Sequence, residues 1–259
     1  MKKTLALILS LVLILSLSAC AKEPTAQELY TLVSEKNVSI DKMDASITMN
    51  GTVGIGVAGI SQDLTLSMNG SVLGENIGKE GMRMSMPVDV SIAGTTVKTN
   101  MYFADGWYLM EMAGQKVKCP MDIEKAMDQF TNVEIQPLDY VELGEMTKDS
   151  STKLYTIPYT MDMEKAVEMS LGALDMTGID PAQMENIEWT GSSGKLVADK
   201  NGNLKSQETT IGFSSSMEGI EITCDMTITV VYNDIGENFK VDIPDATNYV
   251  EVAPAEIGL

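Results

Sequence analysis

The 259-residue chain contains no histidine. That removes Ser-His-Asp and Cys-His catalysis and every imidazole-ligated metal site. Arginine occurs once, as Arg83, which excludes a cluster of bidentate phosphate clamps. Lys and Arg together number 18 against 37 Asp and Glu, a net charge of −19. A chain this acidic has no electrostatic attraction to nucleic acid or to an anionic lipid surface. Aromatic residues make up only 5%. There are three cysteines, Cys20, Cys119 and Cys224, and no low-complexity linker divides the chain. Past its start, no run is apolar enough to cross a bilayer as a helix, which takes ~20 such residues. No nucleophile sits in a pattern with a base, so an enzyme is not expected, nor is a cofactor or a metal.

The beginning of the chain reads as an export signal. Lys2 and Lys3 are followed by an apolar run from Leu5 to Leu17 and then by Leu17-Ser18-Ala19-Cys20. Basic start, short apolar stretch and small residues at the cut are the layout of a secretory signal peptide. The Leu-Ser-Ala-Cys ending resembles the bacterial lipobox. That resemblance implies cleavage between Ala19 and Cys20 and a diacylglyceryl group on the Cys20 sulfur. Two acyl chains suffice for stable anchoring where one is marginal. The expected organisation is a signal over 1–19, a lipidated Cys and tether over 20–24, and one domain over 25–255. Ala21 to Pro24 reach only ~14 Å when extended, so the domain is expected to sit against the outer face of the cell membrane, with the mouth of any cavity near it.

Thr25-Ala26-Gln27-Glu28 is a capping-box pattern. The helix it opens carries Leu29, Leu32 and Val33 on one face and is expected to end near Asn37. After it the pattern switches to period two. Ile47, Met49, Val53, Ile55 and Val57 alternate with Ser46, Thr48, Asn50 and Thr52. Leu64, Leu66, Met68 and Val72 alternate with Asp63, Thr65, Ser67 and Asn69. Met82 to Ile92 and Ile220 to Tyr232 behave alike. One apolar and one wet face mark antiparallel strands. Turns are expected at Ala104-Asp105-Gly106, at Ala113-Gly114 and, as a two-residue turn, at Asn201-Gly202. Further helices are expected over Asp122–Phe130 and Asp162–Met176, with a turn of helix over Pro181–Asn186.

A sheet of eight or more long strands, each with an apolar face, needs cover, and a few helices supply only narrow stripes. The sheet is therefore expected to curl, closing or nearly closing on itself, around an apolar space suited to a hydrophobic ligand. The chain has 20 methionines, many spaced i, i+2 in the strands. Met is unbranched and adaptable, apt for acyl chains of varied shape. Met49, Met68, Met82, Met84, Met86, Ile222, Met226 and Ile228 are the candidate lining. Cu(I) binding by the thioethers is disfavoured, because the Met side chains fall on the apolar faces and His is absent. Cys119 and Cys224 are either a long-range disulfide, which an exported protein can keep, or two small buried thiols. Asp199-Lys200-Asn201-Gly202-Asn203 lacks the glycine position and the twelfth-position Glu of a calcium loop.

Three local patterns carry a family resemblance: Tyr102-Phe103-Ala104-Asp105-Gly106-Trp107-Tyr108, Asp199-Lys200-Asn201-Gly202-Asn203-Leu204, and Phe239-Lys240-Val241-Asp242-Ile243-Pro244-Asp245. In these and in element order the chain, from Thr25 to Val252, resembles the LolA/LppX-like lipoproteins, especially their uncharacterised Gram-positive members. The resemblance implies an α+β fold, a strongly curved antiparallel half-barrel with a few helices across its concave face and an apolar cavity. It also implies a non-enzymatic protein that binds a lipid or other hydrophobic ligand, for transport or sensing, and whose closing strand is Phe239–Asp245. The high Met content and the single Arg depart from the family. A structural or interaction lipoprotein with a filled core is the alternative.

Overall fold

A computed structural model describes residues 23–37, 39–57, 60–122, 135–162, 188–217, 220–236 and 239–257. Helix α1 spans Ala26–Asn37, and its start is the expected capping box. The Thr25 backbone N–H donates to Glu28 Oε2 at 2.8 Å, and the Glu28 N–H donates to Thr25 Oγ1 at 3.2 Å. Two otherwise orphaned donors of the first turn are thereby satisfied.

The strands are β1 (Lys42–Val57), β2 (Ile60–Glu75), β3 (Arg83–Ile92), β4 (Thr95–Ala104), β5 (Trp107–Met112), β6 (Gln115–Pro120), β7 (Val141–Leu143), β8 (Thr147–Lys148), β9 (Tyr155–Met161), β10 (Glu188–Ala198), β11 (Leu204–Met217), β12 (Ile220–Ile235) and β13 (Val250–Glu251). They form one 13-stranded sheet in the order β13-β6-β5-β4-β3-β2-β1-β12-β11-β10-β9-β7, with β8 beside β9. Every pairing is antiparallel except β13 with β6. The sheet stays open, a half-barrel rather than a closed barrel. It bends around α1: Leu29, Tyr30 and Val33 share one buried cluster with Ala45, Tyr232, Leu204, Leu196 and Ile157, which come from β1, β12, β11, β10 and β9. A helix surface is only ~10–12 Å wide, and four strand spacings measure ~19 Å. Curvature lets so many strands share a core with one helix.

Tight hairpins set the register. Asp105-Gly106, Ala113-Gly114 and Ala93-Gly94 join their strands as two-residue turns with both residues at positive φ, the arrangement that matches strand twist. Asn201-Gly202 differs from expectation. The β10–β11 connection is a five-residue loop, Asp199–Asn203, because Asp199 Oδ1 accepts from the N–H groups of both Asn201 and Asn203, at 2.8 and 3.0 Å. The carboxylate organises the loop, and burial, which alone would raise its pKa, is outweighed by the bonds from Asn203 and Asn201 that lower it.

Phe239–Asp245 also departs from expectation, being unpaired rather than a strand of the sheet. The segment crosses the strands on the outer face of the sheet. Phe239 O accepts from Lys42 Nζ on β1 (3.4 Å), Val241 O from Arg83 Nε on β3 (3.2 Å) and Ala246 O from Lys118 Nζ on β6 (3.4 Å). A chain running across a sheet cannot make a backbone ladder with it. Long basic side chains hold it instead. The three expected helices at Asp122–Phe130, Asp162–Met176 and Pro181–Asn186 lie outside the described residues, apart from Asp122 and Asp162.

Candidate functional site

The inner, concave face is continuous across the sheet. Register aligns Val97, Val90, Met68, Met49, Ile228, Thr209, Gly194 and Tyr159 in one row across eight strands. A second row runs Met86, Met101, Met110, Val117. Every methionine in the described strands points to this face. Across β1–β6 and β9–β12, no Asp, Glu, Lys or Arg falls on it. The charged residues stand on the outer face and in the connections, as in the Lys98–Asp89 and Lys195–Glu208 pairs.

The candidate residues sit at different depths. Met84 is 0% exposed and Met82 is buried beside it, in a cluster with Val72, Phe103, Tyr108, Cys119 and Met121; Met86 packs against that cluster. Met49, Met68, Ile222, Met226 and Ile228 are half-buried on the adjoining strands β2, β1 and β12. The face therefore gathers all eight candidates, but it does not present them equally.

Exposure rises along the strands. At the base, near α1, the face is covered. Toward the hairpin tips, Ile55, Val57, Ile60, Ile92, Val97 and Met112 are exposed, Ile92 by 51% and Ile60 by 78%. These residues lie on three neighbouring hairpins, β1–β2, β3–β4 and β5–β6, and form one apolar margin. Solvent contact on this scale is what a binding surface shows and a finished core does not.

Burial also sets the electrostatics of the base. It pushes the Tyr108 and Tyr232 hydroxyls up to about 12 and raises Tyr30 and Tyr159 as well. Cys119 and Cys224 are buried and unbridged, and burial raises both thiols above their ordinary value. The disulfide alternative fails on topology. Cys119 is on β6 and Cys224 on β12, with β5, β4, β3, β2 and β1 between them, far beyond the Cα spacing a disulfide spans.

A cavity of about 520 Å³ lies elsewhere, between the end of α1 and the β11–β12 strands. Its walls include Lys36, Asn37, Asp41, Asn203 and Asp234. Val33, Ile40, Leu204 and Ile235 complete a mixed polar and apolar lining, which contains none of the candidate methionines.

Ala19 and Cys20 lie outside the described residues. The description begins at Glu23, whose carboxylate meets Lys148 Nζ at 2.6 Å and accepts from the Tyr155 hydroxyl. Both bonds draw its pKa down. Tyr155 belongs to the base cluster. The run of β1 from Ala45 to Val57 covers ~40 Å at ~3.3 Å per residue. The exposed tips are therefore at the far end of the sheet from Glu23.

The sequence reading missed two features. Tyr30 is fully buried, donates to Gln136 O at 2.9 Å and meets the Tyr159 ring edge-on with centroids 6.2 Å apart. A polar strip also lies on the β9–β11 side: Tyr159 and Thr209 share a hydroxyl contact at 3.0 Å, and Ser192 Oγ donates to Met161 Sδ at 2.9 Å. Thr209 and Ser192 interrupt apolar alternation, which was the available signal.

No protein-family model matches the chain, and no curated protein matches it. Solved structures align with it over most of its length. LprF from Mycobacterium bovis is 10% identical, with a TM-score of 0.41, over 86% of this chain and 99% of its own. A DUF1329 family protein from Desulfovibrio piger is 11% identical, with a TM-score of 0.24, over 85% and 95%. A putative outer membrane lipoprotein-sorting protein domain from Vibrio parahaemolyticus is 7% identical, with a TM-score of 0.22, over 83% and 95%. No helix among the described residues is long and apolar enough to cross a membrane.

Proposed function

We propose that this chain is an extracytoplasmic lipoprotein, anchored through a diacylglyceryl group on Cys20, that binds a lipid or other hydrophobic molecule on its concave face, for transport or sensing. The observation that carries this reading is the uncharged face itself, packed at its base and open to solvent at its tips. A face meant only as core would be covered along its whole length. Soft, unbranched Met side chains line the middle of it, where a ligand of variable shape is accommodated without a fixed mould. Nothing in the reading needs a cofactor or a catalytic group.

Anchorage at Cys20 would put the base against the outer face of the cell membrane of a Gram-positive bacterium and aim the exposed tips outward. In that posture the ligand is taken up or released on the side away from the anchoring bilayer. The second reading, an envelope interaction protein with a filled core, is favoured by the dense packing of the base.

The two readings part on one experiment. Residues 21–259 are purified, extracted with organic solvent, and the extract analysed by mass spectrometry. An apolar molecule that co-purifies, or one that can be loaded, is the expected outcome. If none co-purifies and none can be loaded, the filled-core reading replaces this one.

A further inference from the structure

The two sides of the concave face differ in chemistry. In the row described above, Val97, Val90, Met68, Met49 and Ile228 occupy β4, β3, β2, β1 and β12, and then Thr209 and Tyr159 bring hydroxyls on β11 and β9. Tyr159 also bonds the side chain of Gln207, next along the same face of β11. Gln207 is only 5% exposed, yet among the described residues its Oε1 has no hydrogen-bond partner. Toward the tips on the same side, Trp189 stands opposite Phe213, rings 5.6 Å apart, and its Nε1 is buried and also without a partner among the described residues. Buried polar atoms are ordinarily satisfied, and an exception asks for a cause. Among the described residues, one side of this face thus holds an unused acceptor and an unused donor, and the other side holds neither.

We propose that the β9–β11 side receives the polar part of an amphiphile, that this part is uncharged and bears hydroxyl or amide groups, and that the Met-rich side receives its hydrocarbon. The proposal rests on the binding reading above and narrows it to a ligand class. An amide or hydroxyl both donates and accepts, so it answers Trp189 Nε1 directly, while Gln207 Oε1, opposite Leu196 and Val230 at the covered base and ~20 Å further down β11, marks the deep polar end of the same side. A phosphate, carboxylate or ammonium has no such place, because no charged side chain of the described strands faces it and burial of an unpaired ion is strongly unfavourable. The selection acts by exclusion: the face rejects charge more than it recognises any one headgroup.

The test is competition on the full chain. A fluorescently labelled dioleoylglycerol is bound, then displaced by unlabelled dioleoylglycerol or by dioleoylphosphatidylglycerol, which has the same chains and a charged headgroup. The neutral lipid is expected to displace at about tenfold lower concentration or better, the factor that ~1.4 kcal/mol supplies. Trp189→Phe and Gln207→Met, both near in shape to the original, are expected to narrow that ratio; should Gln207→Met lower the melting temperature, Trp189→Phe alone decides. Equal displacement by the two lipids, or preference for the anionic one, overturns the headgroup inference and leaves hydrophobic binding standing. An unchanged ratio in a folded Trp189→Phe chain overturns the assignment to the β9–β11 side. If the labelled lipid does not bind at all, the binding reading itself falls.

Discussion

Met84 and Ile92 stand on the same strand, on the same face, in the same alternating pattern. Met84 is 0% exposed and Ile92 is 51% exposed. Val72 and Ile60 repeat the contrast on β2. Period-two patterning decides which way a side chain points, and it says nothing about what lies over it. Coverage is a tertiary property. At the base it comes from α1 over β1 and β9–β12 and, around Met84, from Val72, Phe103, Tyr108, Cys119 and Met121 packing on one another. At the tips the described residues leave the face open. The base behaves as a core and the tips as a surface, although their compositions are alike.

The largest expected effect breaks this contrast directly. Met84→Glu places a carboxylate in a fully buried cluster with no cation on that face, and is expected to cost ~4 kcal/mol or more, enough to unfold a marginal domain. Ile92→Glu, on the same strand and face, is expected to change stability by less than ~1 kcal/mol. Urea denaturation of the two variants checks the pair, and comparable losses would show that the tips are covered after all.

A smaller effect is expected from the cap of the helix that makes the base a core. Thr25→Ala removes one half of a reciprocal pair and should cost ~1 kcal/mol, read as a lower denaturation midpoint. Thr25→Ser should restore most of it, since the acceptor oxygen is retained.

The outer face gives a control that leaves the concave face alone. Glu111 Oε1 meets Lys116 Nζ at 2.6 Å and accepts from the Tyr249 hydroxyl, and its Oε2 accepts from Asn100 Nδ2 at 3.2 Å. The bond from Lys116, then that from Tyr249, hold its pKa down at about 2. A carboxylate depressed in the folded state contributes stability that is present above its ordinary range near 4.5 and is lost as pH falls through about 2. Glu111→Gln should therefore flatten the stability-versus-pH curve between about 4.5 and 2, by up to ~1 kcal/mol. Ligand loading should not change. An unaltered acid limb would mean that Tyr249 and Lys116 are not held by this carboxylate in solution.

Much of this was legible in the residues because it is local. Thr25 and Glu28 sit three apart and can only satisfy each other's turn. Asp105-Gly106 and Ala113-Gly114 carry the conformational freedom that twisted hairpins require. Met49 opposite Met68 and Met49 opposite Ile228 follow from alternation once the hairpins set register. What was not legible depends on distant parts meeting. Tyr30 lies off the stripe formed by Leu29, Leu32 and Val33, and it is buried because the sheet wraps far enough round α1 to reach it. Phe239–Asp245 alternates like a strand but crosses the sheet, and only Lys42 and Arg83, far earlier in the chain, disclose that path. Asn201-Gly202 has the composition of a two-residue turn, but Asp199 competes for the same N–H groups with a carboxylate and wins them. Cys119 and Cys224 have no sequence signal of distance at all. The polar strip on β9–β11 was visible only as interruptions at Ser192 and Thr209, and such interruptions are uninformative until Tyr159 is known to face them.

The claim that matters most is that the concave face, and not the outer one, binds an apolar molecule. Met226 and Thr227 are neighbours on β12, both half-buried, pointing to opposite faces. The most direct measurement is the amount of apolar ligand that Met226→Glu and Thr227→Glu chains can be loaded with, counted by mass spectrometry against the unaltered chain. Met226→Glu should lose most of the loading while remaining folded, and Thr227→Glu should keep it. Equal loading of the two variants, whether both full or both empty, would contradict the account.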